Sequence, residues 1–577
     1  MYDLLLKGGH VIDGTGTPAR YADIAIRDGK IAALGAIDEA ARRVIDISDL
    51  VVAPGFIDIH THYDAQVFWD PAATPSCLHG FTTVIGGNCG FTIAPMQPQH
   101  VDYIAGMLAT VEDIPIESLR AGLDWNWTSF GDWLDRLQGR AAINMGFLVG
   151  HSTLRRVVMG EEAVGNAARP DQIAQMAGLL GRCLSEGAMG FSSSVTDAHV
   201  DGDKKPVPSR FAEPEELFEL ARVTGEHPGT VLEFAPGTPG IFGDREVGAM
   251  IRMSMLANRT LNWNNLRIQD EDPTFADSLL DYGTRATEQG ADIKVLTYPD
   301  ATLQLVTLKS SRLWSSLPGW DKVVLLPLTD RLERLKDPAI RHYLREAARP
   351  ARNWPNPIMK SLSHWETLTF AQTVLPQHET LRGRSVGDVA LERGQDPLDT
   401  LLDVAVAENL LTFFQLSFEA DENEKVWRQR ARVWRDPRVI LGASDAGAHL
   451  DQICGFRYPT SLLGRSVRQR QLLSLEEAIH LLSDAPARFY GLRGRGRIAQ
   501  GWYADLVVFD PKRIDYQPIE VRKDLPGGAS RLYCGADGIE IVFVNGRDVV
   551  RQGFCTGDLP GTVLRSNRDL DTHLARQ

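Results

Sequence analysis

Three short stretches of the chain hold residue types that do chemistry. The first is His60-Thr61-His62, closing the run VVAPGFIDIHTH. In an extended strand residues i and i+2 share a face, so both imidazoles point the same way at the strand's C-terminal end. A paired set on a surface strand, or a stacked pair in a core, has the same spacing. The otherwise apolar run, ending into Tyr63 and Asp64, favours a site mouth. The second stretch is Gly86-Gly87-Asn88-Cys89-Gly90-Phe91. Flanking glycines let the backbone bend sharply and aim Cys89 inward. Its thiolate suits zinc, and a nearby divalent cation would keep it deprotonated. An inert buried thiol and a thiol nucleophile are the alternatives. The third is Gly442-Ala443-Ser444-Asp445-Ala446-Gly447-Ala448-His449. Asp445 there can ligate a metal and take a proton from bound water; capping the next helix is its competing role. His449 shares the same small-residue setting.

These stretches need elements to bring them together. Eight short apolar runs alternate with segments of helical periodicity, the pattern of a parallel sheet wrapped by helices. The runs span 51–62, 82–87, 143–151, 188–194, 230–234, 260–265, 292–298 and 438–445. They predict a (β/α)8 barrel, whose active site is built at the C-terminal strand ends, where all three stretches fall. His151 and His199 follow the third and fourth strands at the same mouth. Either could orient substrate or stabilise an oxyanion, and an ordinary hydrogen-bonded loop residue is an equal reading of His199. Both chain ends read instead as β-meander, too short to bury separate cores. The expectation is therefore a small β-sandwich domain made from residues 1–52 and 491–577, around a barrel spanning 53–490. The gap between the last two barrel strands is too long for one helix, so a segment of about 300–430 is inserted. Residues 301–360 hold 11 Lys/Arg against 5 Asp/Glu, with Trp314, Trp320 and Trp354 interleaved. That suits surface helices with packing tryptophans, or a lid that attracts anionic or aromatic substrates.

Composition narrows the class. Over 577 residues, 43% hydrophobic and 24% charged residues describe a globular chain with a large core, and a net charge of −14 without basic clusters argues against nucleic acid. Six scattered cysteines make no disulfide framework. The start lacks a signal-like pattern and no apolar stretch reaches 18 residues, so no membrane partner and a cytoplasmic location are expected.

The three stretches and their order, with LVGHSTLRR, GFSSS, SDAPARFYGL and RGRIAQGWYADLVVFDP, resemble the amidohydrolase superfamily, in its N-acyl-D-amino-acid deacylase (D-aminoacylase) branch. The resemblance covers nearly the whole chain. It implies a metal-dependent barrel hydrolase in which His60 and His62 are metal ligands, Cys89 a zinc thiolate and Asp445 the catalytic aspartate. The chain also departs from the pattern. Glu233 and Asn264 stand where the branch supplies histidines from its fifth and sixth strands. The arginine expected to hold the substrate's carboxylate has no clear match in CGFRYPTSLLGR, and the tyrosine after the branch's SSG is missing from GFSSSVTDAH.

The function expected is hydrolysis of an N-acyl amino acid amide. Metal-bound hydroxide attacks the carbonyl, Asp445 takes and returns the proton, and His151 shares the oxyanion charge. One zinc ion is favoured, held by His60, His62 and Asp445 with Cys89 near it; a second is the alternative if Glu233 is also a ligand. Tyr63, His199, Asn264 and His449 are the expected substrate contacts. The partner is a small molecule, and a homo-oligomer is compatible with the sequence. A cyclic amide, lactone or carbamate would suit the same site, and a catalytically retired barrel that binds a ligand is the reading from another class.

Overall fold

The computed structural model of the protein describes residues 1–571 apart from 238–241, 269–271, 302, 311–312, 355 and 419–422. The chain forms two compact units. One takes in Met1–Asp300, Trp427–Leu450 and the chain from Gly455 onward; the other is Ala301–Val426 with Asp451–Cys454.

Parallel strands organise the larger unit. β1 (Phe56–Asp58) pairs with β2 (Phe81–Gly86), and β2 with the first part of β3 (Asn144–Phe147). The second part of β3 (Val149–Gly150) begins a ladder through β4 (Gly190–Ser194), β5 (Val231–Ala235), β6 (Leu261–Trp263), β7 (Ile293–Thr297) and β8 (Val439–Leu441). At the far seam the His62 amide donates to the Ala446 carbonyl at 2.7 Å and the Asp445 amide to the His60 carbonyl at 3.3 Å. The eight strands thus run in a continuous hydrogen-bonded circuit. Helices Pro170–Ser185, Pro214–Gly225, Asp244–Ala257 and Pro273–Glu288 fill successive crossovers; three are opened by a proline whose missing N–H costs nothing in the first turn, and the Asp244 helix starts on acidic residues instead.

Ile57, Ile59, Ile85, Leu148, Met189, Val231, Leu296 and Ile440 pack together as one buried cluster, contributed from strands all round the circuit. Gly146 leaves room for Met189, whose sulfur would lie 1.8 Å from a β-carbon there. This plug leaves the C-terminal strand ends as the place for polar side chains.

The two chain ends share one nine-stranded sheet. Val51–Pro54 pairs in parallel with Tyr2–Val11 and antiparallel with Leu506–Phe509. A small β-sandwich is the expectation; both chain ends enter this one sheet, which forks, and the C-terminal part adds two two-stranded sheets, Asp515–Tyr516 with Ala536–Asp537 and Glu520–Arg522 with Arg531–Tyr533. Tyr2–Val11 pairs with Ala41–Asp46 along its first half and with Val51–Pro54 at its end, with a register shift between Leu6 and Gly9. Gly8, at φ +77°, supplies the irregular backbone there.

Asp505, next to Leu506–Phe509, ties this sheet to the parallel strands. It accepts from Arg495, from the Asn144 side chain in β3 at 3.1 Å and from the Asn545 amide at 2.7 Å. Arg495 and Asp505 are 4% and 5% exposed.

In the smaller unit, Leu305–Thr307, Phe413–Gln415 and Thr369–Gln372 form an antiparallel sheet. Trp314 and Trp320 stack with ring centres 5.0 Å apart inside a core that also holds Trp365. The tryptophans of the basic segment are thus packing residues; Trp354 lies partly buried against the same core.

Arg495→Met should destabilise the larger unit by about 3 to 5 kcal/mol, because it leaves the buried Asp505 carboxylate without its cation. Urea unfolding followed by circular dichroism measures this; a loss below about 1 kcal/mol would show that the two amide donors alone satisfy Asp505.

Candidate active site

His60 and His62 lie just beyond β1, 3% and 4% exposed. Their rings stand 5.3 Å apart at 73°, edge to face rather than stacked, and both Nε2 atoms approach one carboxylate oxygen. Asp445 Oδ1 is 3.2 Å from His60 Nε2 and 3.9 Å from His62 Nε2. Cys89 Sγ is 3.5 Å from His60 Nε2. Cys89 holds φ +56°, between Gly87 at +75° and Gly90 at +82°, and Asp445 holds φ +52°. Such left-handed backbone is costly for residues other than glycine and is kept where the surrounding structure enforces it, commonly at functional sites.

Electrostatics sort these groups. Burial would raise the Asp445 carboxyl, but its hydrogen bond to His60 and the nearby imidazoles hold it well below the usual carboxylate range. Burial alone would lower His60; the bond and charge of Asp445 outweigh it and lift the imidazole to about 9. His62 is pushed down to about 3 by burial and by the charge of His60. Burial and the carboxylates of Glu233, Glu112 and Asp445 push the Cys89 thiol well up. The His60, His62 and Cys89 donor atoms lie within 4.8 Å of one another, the set that could hold a metal ion among the described residues. Ligands about 2.0 to 2.3 Å from one ion stand roughly 3 to 4 Å apart. The separations involving His60, Cys89 and Asp445 fall in that range, and two imidazoles, a thiol and a carboxylate match zinc's preferences, so the residues fit such an ion.

Glu233 and Asn264 form a pair in the wall behind Cys89. Glu233 Oε1 accepts from the Asn264 side-chain amide, and Oε2 accepts the Cys89 backbone N–H at 3.0 Å. Burial lifts the Glu233 carboxyl to about 7. Both of its oxygens accept hydrogen bonds from within the chain, and Asn264 is one of the donors.

His151 is buried inside the barrel wall. Its Nδ1 meets Ser193 Oγ at 2.8 Å and its Nε2 meets Glu216 Oε1 at 2.7 Å, while Arg155 pairs with the other Glu216 oxygen. The expected oxyanion role is corrected on that ground, since no ring nitrogen is left for a substrate. Tyr63 is likewise a core residue, 1% exposed, with its hydroxyl 2.6 Å from Ser76 Oγ. Arg457 pairs with Asp300 at 2.5 Å and lies over the Tyr516 ring, 2% exposed. The charges of His449 and His199 also favour the neutral form of the His62 imidazole. His199 Nδ1 meets Ser194 Oγ at 2.8 Å, and His449 Nδ1 meets Asp113 Oδ2 at 2.6 Å.

Sequence reasoning missed Glu112. This buried carboxylate follows the helix Val101–Val111 and lies 3.6 Å from His62 Nε2. The available signal was the acidic pair Glu112-Asp113 between apolar residues in TVEDIPI.

A parallel-strand circuit with a mixed His, Cys and Asp cluster at its C-terminal ends defines a class of metal-assisted hydrolase. The amidohydrolase family profile matches residues 43–292 and 328–550. The chain is 29% identical to the D-aminoacylase of Alcaligenes xylosoxydans xylosoxydans, over 98% of this chain and 97% of that protein. It is 29% identical to the N-acyl-D-glutamate deacylase of the same organism, with equal coverage. A solved D-aminoacylase with a binuclear metal centre superimposes with TM-score 0.65 and 25% identity, over 98% of this chain and all of that one. The chain belongs to the amidohydrolase family, in its D-aminoacylase-like branch, and is a hydrolase of carbon–nitrogen bonds other than peptide bonds. No helix among the described residues is long and apolar enough to cross a membrane.

If His151 is structural, His151→Ala should lower unfolding stability by about 2 to 4 kcal/mol through the stranded Glu216 and Ser193. Metal content and KM should stay near those of the parent. A stably folded variant whose turnover falls more than about 100-fold would restore a catalytic role.

Proposed function

We propose that this chain is a metal-dependent deacylase that cleaves the amide of an N-acyl amino acid. On this reading the strand circuit is a (β/α)8 barrel of the TIM type, with the site at its C-terminal mouth. The observation that carries it is the convergence of the His60, His62 and Cys89 donor atoms within 4.8 Å of one another, with Asp445 Oδ1 3.2 Å from His60 Nε2 and 3.9 Å from His62 Nε2. Those four residues would hold a single zinc ion; Glu233 is not one of its ligands.

When bound, such an ion brings the acidity of water toward neutrality and polarises an amide carbonyl. Asp445 moves the proton. Its side chain is 22% exposed, so it can meet both water and substrate. It accepts the proton of the attacking water as the C–O bond forms, then delivers it to the nitrogen as the C–N bond breaks, releasing a carboxylic acid and an amine. Glu233 Oε2 accepts the Cys89 backbone N–H and so pins the loop that carries the thiol. His199 and His449 are the groups placed to meet the substrate's polar end. The pairing of Arg457 with Asp300 favours a second reading, a neutral cyclic amide, since that guanidinium is committed within the chain.

The purified protein should carry one equivalent of zinc and hydrolyse members of a panel of N-acyl-D-amino acids, losing turnover on chelation. Cleavage of cyclic amides alone would support the second reading, and no turnover with either panel would overturn both. Asp445→Asn should cut kcat by at least about 100-fold with a smaller effect on zinc content; a fall of a few-fold would assign the proton transfer elsewhere. Glu233→Ala should leave the metal count at one. Two equivalents in the parent falling to one in that variant would establish a binuclear site instead.

A further inference from the structure

We propose that Cys77 and Cys555 form a modification site, at which hydrogen peroxide joins the two thiols in a disulfide within the chain. Their Sγ atoms stand 3.6 Å apart, although the residues lie 478 positions apart in the sequence. Cys77 sits in the one-turn helix Ser76–His79, just before β2, and is 0% exposed. Cys555 is exposed and ends the strand Phe554–Cys555. Both residues belong to the larger unit.

The fold gives the two sulfurs unequal access. Phe554–Cys555 is the outermost strand of the nine-stranded sheet and pairs there with Arg547–Arg551 alone, Val550 lying opposite Cys555. An oxidant in solution therefore meets Cys555 first, and the buried Cys77 waits behind it. A disulfide needs the sulfurs about 2.0 Å apart. Side-chain rotation and movement of a two-residue strand bonded on one side close the remaining gap. The hydrogen bond between the thiols also favours the reactive thiolate at the exposed member. It lowers the Cys555 thiol against burial and the charge of Asp70, while the same bond and burial raise Cys77 well above the ordinary thiol value.

The step balances. The Cys555 thiolate attacks one oxygen of the peroxide, the O–O bond breaks, the sulfur is oxidised to a sulfenic acid, and the departing hydroxide takes up the proton that the thiol gave up. The Cys77 sulfur then attacks the Cys555 sulfur and loses its own proton. The S–S bond forms as the S–O bond breaks, and hydroxide leaves with that proton as water. Two thiols thus lose two electrons and two protons, and the peroxide is reduced to two waters. The new bond fastens the C-terminal strand to a turn that backs the site. Beside Cys77, Ser76 Oγ meets the hydroxyl of Tyr63, the residue after His62, at 2.6 Å, and His79 Nδ1 meets Thr460 Oγ1 at 2.8 Å.

The test uses the full chain, purified under reductant, freed of it and treated with hydrogen peroxide. Remaining thiols are then alkylated in denaturant, and the digest is mapped by mass spectrometry. A linked pair of peptides carrying Cys77 and Cys555, lighter than their sum by two hydrogens and separated by dithiothreitol, is expected in most chains. Its absence, with Cys77 alkylated and Cys555 recovered as thiol, as sulfinic or sulfonic acid or as a link to a second chain, would overturn the proposal. In Cys77→Ser, the Cys555 sulfenic acid should persist and take up several-fold more dimedone than in the parent. Equal labelling of the two proteins would overturn the role of Cys77 as the second thiol. The peptide map of the parent needs no variant, so it decides the matter by itself if Cys77→Ser does not fold.

Discussion

The cost of burying charge governs the architecture of the site. His60 and Asp445 lie together at the end of the strand circuit, where their attraction raises the imidazole and lowers the carboxyl against the desolvation that opposes both. Around them sit further acids at low exposure. Asp58 and Asp64 are pushed up to about 7 by burial, as is Glu233. A protein core concentrates acids in this way where a cation belongs, or where their proton affinity is used.

The scaffold meets this demand by separating apolar and polar layers. The cluster of Ile57, Ile59, Ile85, Leu148 and their neighbours closes the interior, so polar side chains are confined to the strand ends beyond it. Special backbone then aims them. Cys89 and Asp445 occupy left-handed conformations in loops that follow barrel strands. The same logic gives meaning to the Glu233 and Asn264 pair. The Asn264 amide donates to the Glu233 carboxyl, and the other carboxylate oxygen holds the Cys89 loop.

Much of this was legible from local pattern. The eight strand positions follow from apolar runs punctuated by glycine and proline, because a doubly covered parallel strand must be apolar over its whole length. His60 and His62 follow from the two-residue period of a strand, and Cys89 from the glycines that flank it. Residues whose roles depend on partners far away in the chain were read less well. His151 stands at a strand end like a catalytic residue, yet Ser193 and Glu216 consume both its nitrogens. Tyr63 follows the metal-site histidines and turns into the core toward Ser76. Glu112 follows the helix Val101–Val111 and is marked locally only by the acidic pair it forms with Asp113.

The sequence by itself determined which elements form, where the chain closes them, and which family's chemistry the strand-end residues bear, because periodicity and turn residues act over a few positions. Only the tertiary structure decided which side chains share the site. A hydrogen bond or an ion pair is made between residues brought within 3 to 4 Å by the fold, and that proximity has no counterpart in linear spacing: Glu112 and His62 lie fifty positions apart in the chain, and 3.6 Å apart in space.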